Sequence, residues 1–470
     1  MEVNFFASAF YLIECVILAT LAAKWYLLTP FFKGEVAFWL VWFLLFFIYF
    51  FGGFYLLGYL SLIAALPVVT PAHAALLMLA IFVVSVWVIR RRKPSLLQLS
   101  AYSGCLVRQW RLVHRADPVN GISRVLFVAS LATFGAIALM LCTGFPRGYE
   151  PLAYHLPIAI HIFQSQTLNV WDTAFMHTFP ANASIYYGFL LGFIPERLVA
   201  AADIIFLIPL CIAVYGLGRA VRADKEASLI AAIGLVTIPI VAFSAFEAGA
   251  DVGGMAFLAV AVYFIIVGRQ ERIHLVLAGL AAGLAFGFKS LHLVSIAFLS
   301  GLVMIQSYNA LQSRRFLDRV WSSVTQPVIF LSSVLAVASF WLVRNYLELG
   351  NPLYPIHLPG ISDILGWVRA PDIDYTNRTT TQFEWVRTPS EWALYPWLEW
   401  HYINQNFKHS SGLGAFFAAT VPVATLVAFI GLFKRQKDTG KSSLRWQHCL
   451  PEGCLSCSYG GYWGIASRVI

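Results

Sequence analysis

The run Glu150-Pro151-Leu152-Ala153-Tyr154-His155-Leu156-Pro157 puts an acid, a phenol and an imidazole side by side, directly after an apolar stretch, in a chain with only 23 acidic residues among 470. Proline at the first helical position places the Glu150 carboxylate at a helix N-terminus, where the helix dipole favours negative charge. A carboxylate held there can act as a general base on a hydroxyl or amine, or ligate a divalent ion. It is equally what an ordinary N-terminal acid on an interfacial helix looks like. Tyr154 and His155 have the residue types to orient that acid or hold a ligand, and both types are also common anchors at a membrane interface.

A second group lies farther along. Asp251 opens an apolar run, with Glu247 one helical turn before it. Charges at the edge of a membrane span are costly enough to mark a functional site by default, although a pair of solvated caps gives the same pattern. Asp203 falls inside the outer third of an apolar run and is expected to face the bundle interior, with Arg197 as a candidate partner. Lys289 separates two strongly apolar runs; a lone ammonium there suits a phosphate as a point charge, or snorkels to lipid headgroups. Arg344 has the same two readings. Asp172 and His177 come within reach of metal chemistry only if their segment folds back on Glu150, and no zinc-ligand spacing is present. The tail cysteines Cys449, Cys454 and Cys457 lack a partner pair that would complete a structural site. Asn182-Ala183-Ser184 and Asn377-Arg378-Thr379 match the glycosylation sequon. There is no phosphate-binding glycine loop, dinucleotide fingerprint or nucleophile elbow, so no soluble nucleotide substrate is indicated.

The elements that must position these residues are membrane helices. The chain is 59% hydrophobic and 12% charged with a mean hydropathy of +0.73, whereas soluble domains carry roughly 25% charged residues. At about 20 apolar residues per crossing, with the backbone satisfied internally by helix, the length allows roughly ten to thirteen spans. Apolar runs lie near 4–28, 37–60, 73–89, 122–142, 197–217, 228–247, 251–268, 274–288, 290–307, 327–347 and 411–433. The expected fold is therefore an all-α, polytopic transmembrane helix bundle of about eleven spans. The first run reads as a retained helix, not a cleaved signal.

Basic clusters at 90–93 with 108–115, at 219–225, at 269–272, at 314–319 and at 434–437 all fall on one side if the spans alternate, which orients that side to the cytoplasm. The net charge of +9 is then topology, not a nucleic-acid surface. The opposite face carries an outer loop at 143–196, the turn at 248–250, Lys289, and an aromatic-rich outer segment at 350–410. Leu156, Ile160 and Phe163 recur at helical spacing, and 182–194 is a short apolar stretch, so both are expected as helices lying in the interface plane. Three regions follow: N-terminal spans and a basic loop at 1–121, a module at 122–433 containing both outer segments, and an atypical cytoplasmic tail at 434–470.

These residues resemble the GT-C membrane glycosyltransferases, in the branch related to protein O-mannosyltransferases and the lipid A aminoarabinose transferase. The resemblance rests on Glu150 four residues before Tyr154-His155-Leu156-Pro157, followed by His161 and Gln164; on Asp251 at the start of a later span; on the glycine-rich run Gly279 to Lys289; and on Asn351-Pro352-Leu353-Tyr354-Pro355 after Arg344. It covers about 145 to 355. The family usually carries Asp where this chain has Glu150. What the resemblance implies is a site facing away from the cytoplasm, a sugar donor on a polyprenyl phosphate, and an acceptor glycan, lipid or protein. It makes Glu150 the general base, Asp251 a second acid supporting it or a divalent cation, and Lys289 a phosphate contact, with Tyr154, His155 and Arg344 on the substrate; no cofactor is fixed. It further implies a multi-pass protein of a bacterial plasma membrane. A transporter or lipid flippase, or an inactive scaffold of the same fold, is the competing class.

Overall fold

The computed structural model describes residues 5–27, 35–91, 150–171, 175–268, 271–310 and 316–369, with isolated helical positions between 125 and 139. The expected loop at 92–121, most of the span at 122–142, Asp172, the sequon at Asn377, most of the segment 350–410, the span at 411–433 and the tail lie outside the described residues.

Among the described residues every element is helical and none is a strand. The principal helices are α1 (Phe5–Leu27), α2 (Glu35–Ala64), α3 (Pro71–Arg91), α4 (Leu156–Ser165), α5 (Asn182–Leu190), α6 (Ile204–Ala220), α7 (Lys225–Val236), α8 (Asp251–Val267), α9 (Arg272–Phe288), α10 (His292–Ala310) and α11 (Phe316–Leu349). Four stretches are helical, long and apolar enough to cross a membrane: Phe5–Ala23, Val36–Ala64, Glu196–Ala220 and Ser323–Leu349. Apolar helices of the described part also include Pro71–Val84, Asp251–Val267, Arg272–Phe288 and His292–Tyr308, which are shorter. A 17-residue helix such as α8 is about 26 Å long at 1.5 Å per residue, close to the roughly 30 Å hydrocarbon layer.

The apolar run at 228–247 is not one helix. It breaks after Val236 and resumes as a short helix at Pro239–Ser244. Pro239 has no N–H to donate and forces the residue before it out of helical geometry, and Ile238 is accordingly extended at φ −59, ψ 125.

α2 is the hub. Its buried ring column packs against five other helices: Phe47 on Phe206 of α6 at 5.0 Å, Phe50 on Phe189 of α5 at 5.1 Å, Phe51 on Phe288 of α9 at 5.6 Å, Phe54 on Phe163 of α4 at 5.9 Å, and Tyr55 stacked on Phe340 of α11 at 5.3 Å. Outward-facing large apolar side chains such as Phe6, Ile63 and Phe298 are exposed. Lipid tails are as apolar as these rings, so helix association in a bilayer comes from close packing and interhelical hydrogen bonds.

α9 supplies the close packing. A Cβ at Gly279 would stand 2.3 Å from the carbonyl oxygen of Phe330, and one at Gly283 would stand 2.7 Å from that of Val334. The stripe thus lets α9 lie backbone to backbone on α11. One turn on, Gly287 makes room for Asn182, whose carbonyl oxygen accepts from Trp341 Nε1 at 3.1 Å and from the Tyr55 hydroxyl, while its amide donates to Leu284 O at 3.4 Å. One asparagine therefore ties α2, α5, α9 and α11 together.

That node corrects one expectation. α5 has no exposed polar side over Asn182 through Phe189, which are all buried, because the helix presents polar groups to a buried network and rings to α2. The sequon at Asn182 is sealed inside the bundle for the same reason. α4 is one-sided, but its buried face is Ile158, Ala159, Ile162 and Phe163; of the stripe read in the sequence only Phe163 is buried, with Leu156 half-buried and Ile160 exposed.

Candidate active site

Glu150 sits immediately before a single π-helical turn, Pro151–His155, in which the Leu156 N–H reaches back to Pro151 O. Pro157 has no N–H to lose when the turn widens, and such one-turn bulges recur at functional sites. The wide turn leaves the Glu150 carboxylate without a capping bond of its own and sends His155 inward.

Lys289 follows the last residue of α9 in an extended conformation, φ −150 and ψ 122. Its ammonium lies 2.5 Å from Asp251 Oδ1, on the first residue of α8, and 3.8 Å from Glu150 Oε1. The segments flagged as chemically interesting in sequence are thus in contact. Burial pulls the Lys289 ammonium down, but Asp251 and then Glu150 outweigh it and the net shift is upward. Glu247 is half-buried nearby, and its carboxyl is pushed up by burial first, then by Glu150 and Asp251. Two carboxylates, Glu150 and Asp251, share one ammonium, so the group carries surplus negative charge that Glu247 also feels. A phosphate reaching Lys289 must therefore share it with Asp251 or displace that carboxylate.

His155 is buried at 4% exposure. Its Nε2 lies 4.0 Å from Glu150 Oε2 and has no hydrogen-bond partner, while Nδ1 is 3.4 Å from Ser184 Oγ on α5. Burial drops its pKa to about 3, partly opposed by Asp251 and reinforced by Lys289, so the ring is neutral. His155 is consequently a wall behind Glu150, not an exposed substrate contact. Tyr154 is half-exposed and packs its ring on His155 at 4.2 Å.

The turn from Glu247 to Asp251 closes over this group. A Cβ on Gly249 would come within 3.9 Å of Glu150 Oε2. Ala248, fully buried, is left-handed at φ +51, a conformation costing a non-glycine residue on the order of 1–3 kcal/mol. Asp203, wholly buried, approaches the same turn from the start of α6. The phenol of Tyr187 lies 2.7 Å from Asp203 Oδ2 and also hydrogen-bonds the Gly249 carbonyl. The anticipated Arg197 partner is exposed, and Asp203 is paired with Tyr187 instead.

Arg344 belongs elsewhere. It is 3% exposed, and its Nη2 donates to the carbonyls of His177, Thr178 and Phe179 at 3.3, 2.9 and 3.2 Å, with Nε and Nη2 both on Asn345 Oδ1. Its guanidinium also lies 4.7 Å over the Trp341 ring. The expectation of a substrate contact is corrected: the donors that would grip a phosphate hold the chain entering α5. His177 is buried against Trp171 at 4.4 Å. Burial, then His161 and Arg344, lower its pKa to about 4. Its ring packs in a cluster with Trp171, which stacks on His161 at 4.3 Å. Among the described residues no set of three or more His, Cys, Asp or Glu side chains is arranged to hold a metal ion.

Sequence reasoning missed Ser184, Tyr187 and His292. His292 opens α10 with its Nε2 against Gly254 of α8. None of the three carries a spacing signal; each is recruited by the packing of α5, α8 and α10. Set beside known proteins, the chain matches no protein-family model, no curated protein and no solved structure.

Proposed function

We propose that the chain is a multi-pass membrane glycosyltransferase of the GT-C kind, spanning the bilayer about eleven times in a bacterial plasma membrane, and moving a sugar from a polyprenyl-phosphate donor to an acceptor on the extracytoplasmic face. The observation carrying this reading is the meeting of Glu150, Asp251 and Lys289, from three distant segments, with Glu150 and Asp251 partly open to the outside of the helix bundle. A general base needs a carboxylate within reach of an acceptor proton, and a departing phosphate needs a nearby cation.

In the proposed step the acceptor hydroxyl or amine gives its proton to Glu150 as its oxygen or nitrogen bonds to the anomeric carbon. The bond from that carbon to the phosphate oxygen breaks with inversion, and its electron pair leaves on the polyprenyl phosphate. Asp251 holds Lys289 beside the base, and Lys289 meets the charge that grows on the leaving group. Incubating the purified protein with polyprenyl-phospho-sugars and acceptor extracts should give transfer that Glu150→Gln abolishes; transfer insensitive to that change removes Glu150 as base.

A transporter or lipid flippase is the second reading, favoured by Glu14, a buried carboxyl partway along α1 with neither oxygen hydrogen-bonded. Gradient-coupled uptake into proteoliposomes without covalent transfer would select it.

A further inference from the structure

We propose that Asp203 and Tyr187 form a buried positioning relay that fixes the Glu247–Asp251 turn, and through it holds Asp251 on Lys289. The inference rests on the reading of Glu150, Asp251 and Lys289 as one site, but not on the identity of the reaction.

Three observations carry it. First, the turn contains a left-handed alanine, Ala248, so it does not hold its shape from local preference; an outside contact must. Second, that contact is visible: the Tyr187 hydroxyl, at 0% exposure, hydrogen-bonds the Gly249 carbonyl, two residues before Asp251. Third, the same phenol oxygen lies 2.7 Å from Asp203 Oδ2. A phenol has one hydrogen, so it cannot donate to the carboxyl and the carbonyl together. Both contacts are satisfied if Asp203 carries its proton and donates to the phenol oxygen while Tyr187 donates to Gly249. Asp203 then acts as a neutral donor at the head of a two-bond chain ending in the turn, and its carboxyl also meets the Gly249 backbone directly. Tyr187 is well placed for this, since its ring lies edge-on to His155 at 6.2 Å and its helix carries Ser184, the other partner of that histidine.

The test uses the full-length protein in detergent micelles and reads the Lys289 ammonium directly. The acylation rate of Lys289 by a water-soluble amine reagent is followed by peptide mass spectrometry between about pH 8 and pH 11. Asp251 and then Glu150 hold that ammonium protonated, and the rings that feel its charge in turn are His155 and His292. Asp251→Asn sets the reference by removing the charge of the ion-pair partner, which lowers the labelling midpoint. Tyr187→Phe, which keeps the ring and removes the hydroxyl, should lower the midpoint in the same direction by about half a pH unit, roughly a threefold faster rate below the midpoint. Asp203→Leu should do the same. Asp203→Asn, whose amide supplies an N–H in place of the acid O–H, should label like wild type.

A packing role alone predicts wild-type labelling for Tyr187→Phe, and that result overturns the proposal. So does Asp203→Asn behaving like Asp203→Leu, because the neutral-donor assignment then fails; this comparison remains decisive if Tyr187→Phe unfolds. No sugar donor enters the assay. Labelling shifts without any transfer activity would leave the relay standing and remove the glycosyltransferase reading, and the converse would do the reverse.

Discussion

Replacing Arg344 with methionine separates a clamp from a ligand contact. The Nη2 nitrogen shares its two hydrogens among Asn345 Oδ1 at 2.8 Å, Thr178 O at 2.9 Å and, at longer range, Phe179 O and His177 O, while Nε also serves Asn345 Oδ1. Hydrogen bonds from a charged group contribute about 1.5–3 kcal/mol each, so losing the two strongest backbone bonds costs roughly 3–6 kcal/mol. The contact with the Trp341 ring adds about 1 kcal/mol. Methionine fills the stem of the side chain but donates nothing, and Asn345 retains its own bond to Thr178 O at 2.8 Å, which keeps the loss toward the lower end. The measurement is unfolding of the detergent-solubilised protein followed by tryptophan fluorescence, alongside polyprenyl-phosphate binding. Arg344→Met should unfold far more readily, and Arg344→Lys should recover part of the loss, because an ammonium cannot match the planar fork. A methionine variant that unfolds like wild type yet no longer binds polyprenyl phosphate would refute the clamp and restore Arg344 to the ligand.

Glu14 is buried in α1 with both carboxyl oxygens unbonded, so Glu14→Met should raise the unfolding temperature, worth about 1–3 kcal/mol; a lowered temperature would reveal a partner. Gly279→Ala drives a Cβ into the Phe330 carbonyl and should destabilise by about 1–3 kcal/mol, read by the same unfolding assay, with Gly301→Ala, where nothing lies within 4 Å, as the silent control. His155 stays neutral in the fold but takes a proton near pH 6.5 when unfolded, so stability should fall below about pH 6.5 by up to roughly 1.4 kcal/mol per pH unit. His155→Gln should flatten that limb of the curve, and an unchanged slope would show that the ring is already charged.

The helices were readable because hydropathy is a sum over many residues: α1, α2 and α11 lie where the apolar runs put them. The same summation hides a single proline, so Pro239 was passed over although its missing N–H decides the break. It also hides the burial of α5, where Asn182 and Ser184 read as solvent-facing until the partners of Asn182 on α2, α9 and α11, and of Ser184 in His155, are known. The site residues Glu150, Asp251 and Lys289 stood out by type against an apolar background, but their separation is set by helix lengths and tilts that no local pattern encodes. Arg344 was misread because a buried arginine bonded to carbonyls and an arginine bonded to phosphate have the same sequence signature. Tyr187 left no trace, since a tyrosine at a membrane edge is ordinary.

The one-turn bulge at Pro151–His155 has a consequence of its own. It already takes one residue more than an α-helical turn would, so a further residue inserted after it, in the regular winding of α4, has no wide turn left to absorb it and would swing Glu150 about the helix axis by about 100°. Glu150 would then be carried off its bearing toward Lys289 with every side chain near it still chemically intact. The aim of that carboxylate is encoded in a spacing, and a one-codon insertion would undo what many substitutions would leave in place.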